Sequence, residues 1–252
     1  MKTLGIIPSR YASTRFPAKP LAEIAGKSML FRVWEQCSKT LELDELIVAT
    51  DDQRIYDHVV DFGGKVMMTS PSHQSGTDRC GEVLQSFSDK NVRFDIVVNI
   101  QGDEPLLEPN QIDDLVRFIK SQSKADLASQ FKLSADTEVA SNANIVKVVT
   151  SLGGRALYFS RSPIPFFRNK TNIPYKKHIG LYAYRAAALR TICGLSATKL
   201  EQTESLEQLR WLEHDLNIYM QETAYENRGV DSPEDLKEII RILNNRSVEG
   251  ER

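Results

Sequence analysis

Cysteine is scarce in this chain, and the few cysteines form no pattern. The 252 residues include three of them, Cys37, Cys80 and Cys193. An odd number of widely spaced cysteines provides neither a disulfide framework nor a CxxC metal knuckle. We therefore expect reduced thiols, mostly buried, in a cytoplasmic protein.

Long apolar runs are also lacking. Beyond the short run at 4–7 the N-terminal region is polar, and no window approaches the roughly 20 apolar residues that a transmembrane helix requires. We expect a soluble, unexported protein without membrane insertion.

Neither charge sign is in large excess. Lysine and arginine total 32 residues, aspartate and glutamate total 34, and the net charge is -2. No global basic field is available to hold nucleic acid by counterion release, so we expect no nucleic-acid partner.

Linkers and repeats are missing as well. No stretch is rich enough in glycine, serine or proline to separate independent domains, although the chain has 13 glycines and 10 prolines. We expect a single domain over residues 1–252, a size that allows a substantial core.

The first half of the chain alternates between strand-like and helix-like segments, which predicts an α/β domain with a mainly parallel sheet. The predicted strands are 4–8, 45–50, 65–69 and 95–100, and the predicted helices are 27–40, 53–62, 77–87 and 110–121. The last helix places Ile112, Leu115, Val116 and Ile119 on one face, as expected of a helix that packs on a sheet.

After Ala125 the sequence consists mainly of strand-like segments. This pattern predicts that mixed or antiparallel strands extend the sheet and form a β-rich excursion. Strand-like segments cover 125–132, 144–150, 155–160 and 178–185, followed by a helix at 204–214 and a strand at 217–223. A final helix is predicted after Ser232, with Pro233 in its first turn and Asp235 completing a capping box.

A cationic loop follows the first predicted strand. Arg10, Arg15 and Lys19 occur there without a carboxylate. Ligands of open α/β sheets bind at the carboxyl ends of strands, and these side chains suit phosphate oxygens, so the loop could hold a polyphosphate. The alternative is a solvated surface loop.

Two acids follow other turns of the predicted fold. Asp103 comes after the predicted strand 95–100, and Asp231 directly precedes Ser232. Together they could hold Mg²⁺ beside a triphosphate. Taken alone, Asp103 could be a turn carboxylate and Asp231 a helix-start carboxylate.

The polar segment 70–79 contains Ser75, Gly76 and Arg79. Its small residues and helix start could bring backbone amides close to a base or phosphate. Alternatively, it is a capped connection with a solvated Arg79.

The β-rich half supplies Arg161 and His178, which could bind the carboxylate and hydroxyl groups of an anionic sugar. Arg161 could instead be a surface ion-pair partner. Glu207 and Gln208 flank the apolar face of helix 204–214, where most polar side chains are solvated.

Seven segments resemble the 3-deoxy-manno-octulosonate (Kdo) cytidylyltransferase family, and the resemblance extends from Leu4 to about Leu243. They are IPSRYASTRFPAKPL at 7–21, ATDD at 49–52, SGTDR at 75–79, NIQGDEP at 99–105, LYFSRSPIP at 157–165, HIGLYAYR at 178–185 and GVDSPEDL at 229–236. The resemblance implies a Rossmann-like nucleotidyltransferase fold and a homodimer that uses CTP and Mg²⁺ to activate Kdo for lipopolysaccharide synthesis.

The resemblance also implies residue roles. The nucleotide would be bound by Pro8, Arg10, Arg15, Lys19, Ser75, Gly76, Arg79 and Gln101, and the sugar acid by Gln101, Arg161, His178, Tyr182, Glu207 and Gln208. Asp103 and Asp231 would hold the metal, and with Arg10, Arg15 and Lys19 they would be the catalytic residues. The range 1–124 would mainly bind nucleotide, 125–225 sugar and a second subunit, and 226–245 would form the metal-site turn and last helix.

The chain departs from the family pattern at a few positions. Ala18 replaces a usual glycine, and Ala143 replaces a common proline. The segment Glu226–Gly229 replaces a segment of smaller, glycine-rich sequence before Asp231. Because the sugar pocket is less legible in the sequence than the nucleotide loop, a related sugar acid, such as 8-amino-Kdo, is an alternative substrate. A nucleotide-binding protein without turnover is an alternative from a different class.

Overall fold

The computed structural model describes residues 1–12, 16–169 and 173–249, with the side chains of 137–138 and 246–249 excepted. The strands are β1 (Thr3–Ser9), β2 (Glu23–Ile24), β3 (Lys27–Ser28), β4 (Glu45–Thr50), β5 (Val66–Met68), β6 (Ile96–Asn99), β7 (Leu127–Ser134), β8 (Lys147–Thr150), β9 (Ala156–Ser160), β10 (Tyr175–Arg185) and β11 (Ile218–Glu222). The α-helices are α1 (Met29–Cys37), α2 (Gln53–Asp61), α3 (Gly76–Asp89), α4 (Pro109–Ser121), α5 (Thr137–Ser141), α6 (Ala186–Cys193), α7 (Lys199–Glu204), α8 (Glu207–Glu213) and α9 (Pro233–Glu249).

The contacts of the chain cluster into two compact units. The first combines Lys2–Asp113 with 227–252, and the second comprises Met1 and Asp114–Glu226. The predicted mixed α/β class with a mainly parallel central sheet is confirmed. Within the described ranges, no helix is both long and apolar enough to cross a membrane.

The first unit contains a parallel sheet with the strand order β6-β1-β4-β5. Its central strand β1 contributes Leu4, Ile6 and Ile7 to the core, all fully buried. Because β1 lies in the middle of this sheet, the residues that follow Ser9 emerge at the carboxyl edge beside the ends of β4 and β6. This is the edge where the sequence predicts ligand binding.

The second unit is built on the antiparallel pair β7 and β10, with β11 parallel to β7. Strand β8 pairs with β10 and with β9. Its core includes Phe159, Tyr184 and Trp211. The β-rich excursion is thus present, although its strands start and end up to three residues away from the predicted limits.

Two predicted helices have different limits in the structure. The helix predicted at 27–40 starts at Met29, because Lys27 and Ser28 form the second strand of a hairpin. The helix predicted at 204–214 is α8 alone, preceded by the separate helix α7. Ser205 separates the two because its backbone is left-handed, with φ of 51°.

The last helix begins as predicted. Ser232 Oγ accepts a hydrogen bond from the Asp235 amide at 3.2 Å, and the Asp235 carboxylate accepts one from the Ser232 amide at 2.8 Å. This is the predicted capping box. The cysteines are free thiols, with Cys37 and Cys80 buried and Cys193 exposed.

Ala18 has a left-handed backbone, with φ of 57° and ψ of 19°. It precedes a 3₁₀ helix, Lys19–Leu21, and its carbonyl accepts a hydrogen bond from the Leu21 amide at 2.9 Å. A Cβ in this region costs roughly 1 kcal/mol, a cost that glycine does not have. The methyl of Ala18 is therefore present where the backbone favours glycine.

This strain predicts the effect of glycine at two nearby alanines. Ala18→Gly should relieve the strain and offset the roughly 0.4–1 kcal/mol that glycine adds to the entropy of the unfolded chain. Ala22 has an ordinary φ of -60°, so Ala22→Gly should relieve no strain and should only lower stability through the added entropy of the unfolded chain. In urea unfolding we expect the Ala18 variant to be more stable than the Ala22 variant by about 1 kcal/mol. Equal decreases in the unfolding free energy of the two variants would show that Ala18 is unstrained.

Candidate functional site

The carboxyl end of β1 is closely packed by two glycines. A methyl group at Gly102 would lie 3.1 Å from the Pro8 carbonyl oxygen, and one at Gly76 would lie 3.3 Å from Pro8 Cγ. The turns after β6 and before α3 can therefore approach Pro8 closely because both lack a side chain there. Gln101, half-buried, belongs to the first of these turns.

Of the predicted cationic loop, Arg10 and Lys19 are described and Arg15 lies outside the described residues. Arg10 is exposed directly after β1. Lys19 points into a cluster of oxygens: its Nζ lies 2.6 Å from Asp103 Oδ2, 2.6 Å from the Val230 carbonyl oxygen and 3.3 Å from Asp231 Oδ1. The structure thus brings together the lysine and both acids that the sequence singled out.

Backbone contacts hold the two acids in place. The Val230 amide donates to the Asp103 carbonyl oxygen at 2.9 Å. Val230 itself is fully buried in an apolar cluster with Ile24, Met29 and Ile239. Burial of Val230 therefore fixes the neighbouring Asp231 beside the turn of Asp103.

The carboxylate pair fits a hard cation. Two acid oxygens reach one Lys19 ammonium, and Mg²⁺ usually takes one or two carboxylates together with substrate phosphates. Within the described residues, no group of three or more His, Cys, Asp or Glu side chains could hold a metal by itself. Any cation bound to these acids would therefore need further oxygens from a ligand or from water.

The segment 70–79 is a capped connection, but its arginine is not solvated. Ser75 Oγ accepts from the Asp78 amide at 3.1 Å and caps α3. Arg79 is buried, with Nη2 at 2.6 Å from Asp51 Oδ2 and Nη1 at 2.7 Å from Thr69 Oγ1. The alternative of a solvated Arg79 is wrong, because this ion pair draws the guanidinium inward.

In the second unit, backbone carbonyls surround the Arg161 guanidinium. Nε donates to the Glu204 carbonyl at 2.7 Å, Nη1 to that of Ala143 at 3.0 Å and Nη2 to that of Ser205 at 3.2 Å. The alternative of a surface ion pair is wrong, because no carboxylate in the described part of the chain pairs with this guanidinium. Two of its five N–H groups remain without a hydrogen bond there.

His178 has a defined tautomer. Ser129 Oγ lies 2.9 Å from the Ile179 carbonyl and 3.1 Å from His178 Nε2. The single hydroxyl proton must go to the carbonyl, which can only accept, so Nε2–H donates to Ser129. Burial lowers the pKa of His178 to about 3. The neutral ring therefore presents Nδ1 as an acceptor, with no hydrogen bond to the described residues.

Three further predicted sugar ligands lie on β10 and α8. Tyr182 and Gln208 are buried, and Tyr182 Oη has no hydrogen-bond partner in the described part of the chain. Burial, followed by the charge of Glu207, raises the pKa of Tyr182. Glu207 accepts from Arg210 at 2.8 Å. Solvation is thus the wrong interpretation for Gln208, because α8 turns it inward beside Trp211.

Sequence reasoning missed the residues that hold this second group. Lys147 is fully buried on β8, Glu204 ends α7, and Ser129 lies on β7. A lysine in a strand segment is normally read as exposed, so no sequence signal distinguished it.

The fold and sequence define the class to which this chain belongs. The family model for cytidylyltransferases matches residues 4–223. A cytidylyltransferase from Leptospira borgpetersenii, 13% identical, covers 98% of this chain and 96% of its own with a TM-score of 0.61, which supports the fold alone. The chain is a member of the cytidylyltransferase family, with the nucleotidyltransferase fold.

Full-length relatives make the assignment narrower. The chain is 48% identical to the 3-deoxy-manno-octulosonate cytidylyltransferase of Bacteroides thetaiotaomicron, over 98% of this chain and 100% of the relative. It is 45% identical to that of Chlamydia pneumoniae, over 95% and 93%. The structure of CMP:2-keto-3-deoxy-manno-octonic acid synthetase complexed with CTP has a TM-score of 0.91 at 40% identity, covering 98% of this chain and 100% of that one. Within its class, the chain belongs to the 3-deoxy-manno-octulosonate cytidylyltransferases, which confirms the resemblance.

The lowered pKa of His178 predicts acid sensitivity. The unfolded imidazole binds a proton below about pH 6.5, whereas the folded one does so only near pH 3. Stability is therefore lost as pH falls from 6.5 towards 3, by up to about 1.4 kcal/mol per pH unit from this group.

Urea unfolding between pH 4 and 7 tests this origin. His178→Gln should reduce the pH dependence of the unfolding free energy, and His214→Gln, at an exposed histidine, should not. If the unfolding free energies of the wild type and of the His178 variant depend on pH with equal slopes, His178 is not held neutral in the folded protein.

Proposed function

We propose that the chain transfers the cytidylyl group of CTP to Kdo, giving CMP-Kdo and pyrophosphate for lipopolysaccharide biosynthesis. The observation that carries the proposal is the convergence of Lys19, Asp103 and Asp231 from three distant segments, in a chain 48% identical to a relative of that name. This convergence supplies what a nucleoside triphosphate needs, a cation for phosphate oxygens and carboxylates for a divalent metal.

On the nucleotide side, Lys19 and Arg10 bind the triphosphate, together with Arg15. Lys19 Nζ is a three-donor group that already touches both acids, so it can transfer a hydrogen bond to a phosphate oxygen with little movement. Pro8, Ser75, Gly76, Arg79 and Gln101 contact the nucleotide. Arg79 acts there in its ion pair with Asp51.

Asp103 and Asp231 would hold Mg²⁺. When bound, the ion neutralises phosphate charge as it develops during transfer. The residues of this chain hold the two carboxylates ready through the buried Val230 and the capped start of α9.

On the sugar side, the two remaining N–H groups of Arg161 bind the Kdo carboxylate. His178 Nδ1 accepts a hydrogen bond from a sugar hydroxyl. Tyr182, Gln208, Glu207 and Gln101 complete the recognition of the polyol. A neutral imidazole serves here better than a cation, because it can accept from a hydroxyl.

The reaction needs no covalent enzyme intermediate. The anomeric oxygen of Kdo forms a bond to the α-phosphorus of CTP and gives its proton to solvent, while the bond between the α-phosphorus and the bridging oxygen breaks and pyrophosphate leaves. Catalysis then rests on positioning and on stabilisation of charge.

We also propose a cytoplasmic homodimer with one nucleotidyltransferase domain per subunit. The second unit has exposed apolar side chains at Leu152, Leu157 and Phe166. Burial of such side chains against a second subunit would be favourable, which supports a dimer. Light scattering on the purified chain measures the subunit number directly, and a monomer would refute the dimer.

Pyrophosphate release tests the function. Purified protein with CTP and Mg²⁺ should release pyrophosphate only when Kdo is added, and mass spectrometry should detect CMP-Kdo. Pyrophosphate release with 8-amino-Kdo but not with Kdo would show that 8-amino-Kdo, and not Kdo, is the substrate. Binding of CTP without either product would refute the enzymatic proposal.

Loss of one metal-binding acid should abolish turnover without unfolding the protein. Asp103→Asn keeps the size of the side chain but removes its charge, and we expect kcat to fall at least about 100-fold, the scale for loss of one electrostatic contact in a transition state. Asp57→Asn, at an exposed acid on α2, is the matched control. Kinetics as a function of Mg²⁺ concentration give the measurement, and wild-type rates for Asp103→Asn would remove this residue from the mechanism.

A further inference from the structure

A fully buried lysine lies beneath Arg161. Lys147 has no exposed surface, and its ammonium donates to the carbonyls of Ile145 at 2.8 Å and Asn142 at 3.2 Å, and to that of Arg161 itself. Burial lowers the pKa of Lys147. A buried cation is costly unless its donors are satisfied, and here three carbonyl oxygens satisfy them.

The carbonyls held by Lys147 belong to the two segments that determine where the Arg161 guanidinium lies. Asn142 and Ile145 flank Ala143, whose carbonyl accepts from Arg161 Nη1 at 3.0 Å. The third carbonyl is that of the arginine itself. One ammonium therefore holds both the backbone of Arg161 and the loop that receives its side chain.

Glu204 completes the arrangement from the other side. Its carboxylate accepts from the Arg161 amide at 2.9 Å and from Ser160 Oγ at 2.6 Å, and its carbonyl accepts from Arg161 Nε. The carboxylate is thus engaged with the backbone and a hydroxyl, while the hydrogen bonds of the guanidinium to the described residues all go to carbonyls. The arginine keeps a net positive charge and a fixed orientation.

We propose that Lys147 is a positioning residue for sugar-acid recognition, acting through the 142–145 loop and the backbone of Arg161. The inference rests on the proposed role of Arg161 in binding the carboxylate. Bidentate recognition of a carboxylate depends on the orientation of the guanidinium, so a loosened loop should weaken sugar binding in particular.

Steady-state kinetics separate this role from a general structural one. Lys147→Met keeps the length of the side chain and removes its donors. We expect the KM for Kdo to rise at least tenfold, with the KM for CTP within twofold of wild type and a smaller change in kcat. Lys147→Arg, which keeps a cation with several donors, should restore part of the Kdo affinity. Lys132→Met, at a lysine paired with Glu226, is the control and should leave both KM values unchanged.

Two outcomes would overturn the proposal. An unchanged KM for Kdo would show that Lys147 does not position the site. A rise in both KM values together with a fall in kcat would show a general role in folding. Hydrogen exchange provides an independent readout in case the Met variant is poorly active. Faster exchange of the amides at 142–146 and 161–162 alone supports positioning, whereas unchanged or uniformly faster exchange contradicts it.

The test also distinguishes this inference from the proposed function. If the wild type shows no Kdo-dependent turnover, the proposed function fails. Hydrogen exchange then decides by itself whether Lys147 holds the Arg161 segment.

Discussion

The contact between the Lys19 ammonium and the carboxylates of Asp103 and Asp231 is the interaction around which the candidate nucleotide site is organised. The three residues are far apart in sequence: Lys19 begins the 3₁₀ helix, Asp103 follows β6, and Asp231 precedes α9. Two negative charges held close together repel each other, and the ammonium that contacts an oxygen of each acid offsets this repulsion. The same nitrogen also donates to the Val230 carbonyl, which ties the charge cluster to a buried apolar side chain. The apolar core thereby determines the separation of the two acids.

The second group of residues solves the opposite electrostatic problem. If Arg161 binds an anionic ligand, as we propose, it must be fixed without being neutralised by an acid. Carbonyl oxygens achieve this, because they orient N–H groups while leaving the formal charge uncompensated. Glu204 lies next to Arg161 but directs its carboxylate to the Arg161 amide and the Ser160 hydroxyl. The serine contact of His178 acts in a comparable way, since it settles which ring nitrogen carries the proton.

Patterns that depend on neighbouring residues were predictable from the sequence. The parallel strands β1, β4, β5 and β6, the apolar face of α4 and the capping box at Ser232 and Asp235 all followed from periodicity or local hydrogen bonding. The placement of Lys19 and Asp103 near one edge of the sheet followed from the rule that strand ends share one edge, whereas Asp231 was singled out by its position before a helix. What escaped prediction depends on distant partners. Arg79 turns inward because Asp51 meets it, and Lys147 is buried because three carbonyls surround it. The hairpin of β2 and β3 escaped because Lys27 and Ser28, which form its second strand, also suit the start of a helix.

The departures of this chain from its family pattern at Ala18 and in the segment before Asp231 leave the charge cluster intact, and the contacts of these residues explain why. Arg228, which adds a cation close in sequence to Asp231, pairs with Glu238 on α9 at 2.7 Å. The Asn227 side chain accepts a hydrogen bond from Gln111 at 2.7 Å and donates one to the Glu104 carboxylate. These hydrogen bonds hold the segment that precedes Val230. Ala18 adopts the left-handed backbone that glycine would adopt, at a modest energetic cost, and Lys19 still reaches both acids. Because the oxygens that meet Lys19 are fixed by Val230 and by the start of α9, they do not depend on which residue occupies position 18 or 228. The substitutions therefore alter local stability more than the geometry that we propose to bind phosphate.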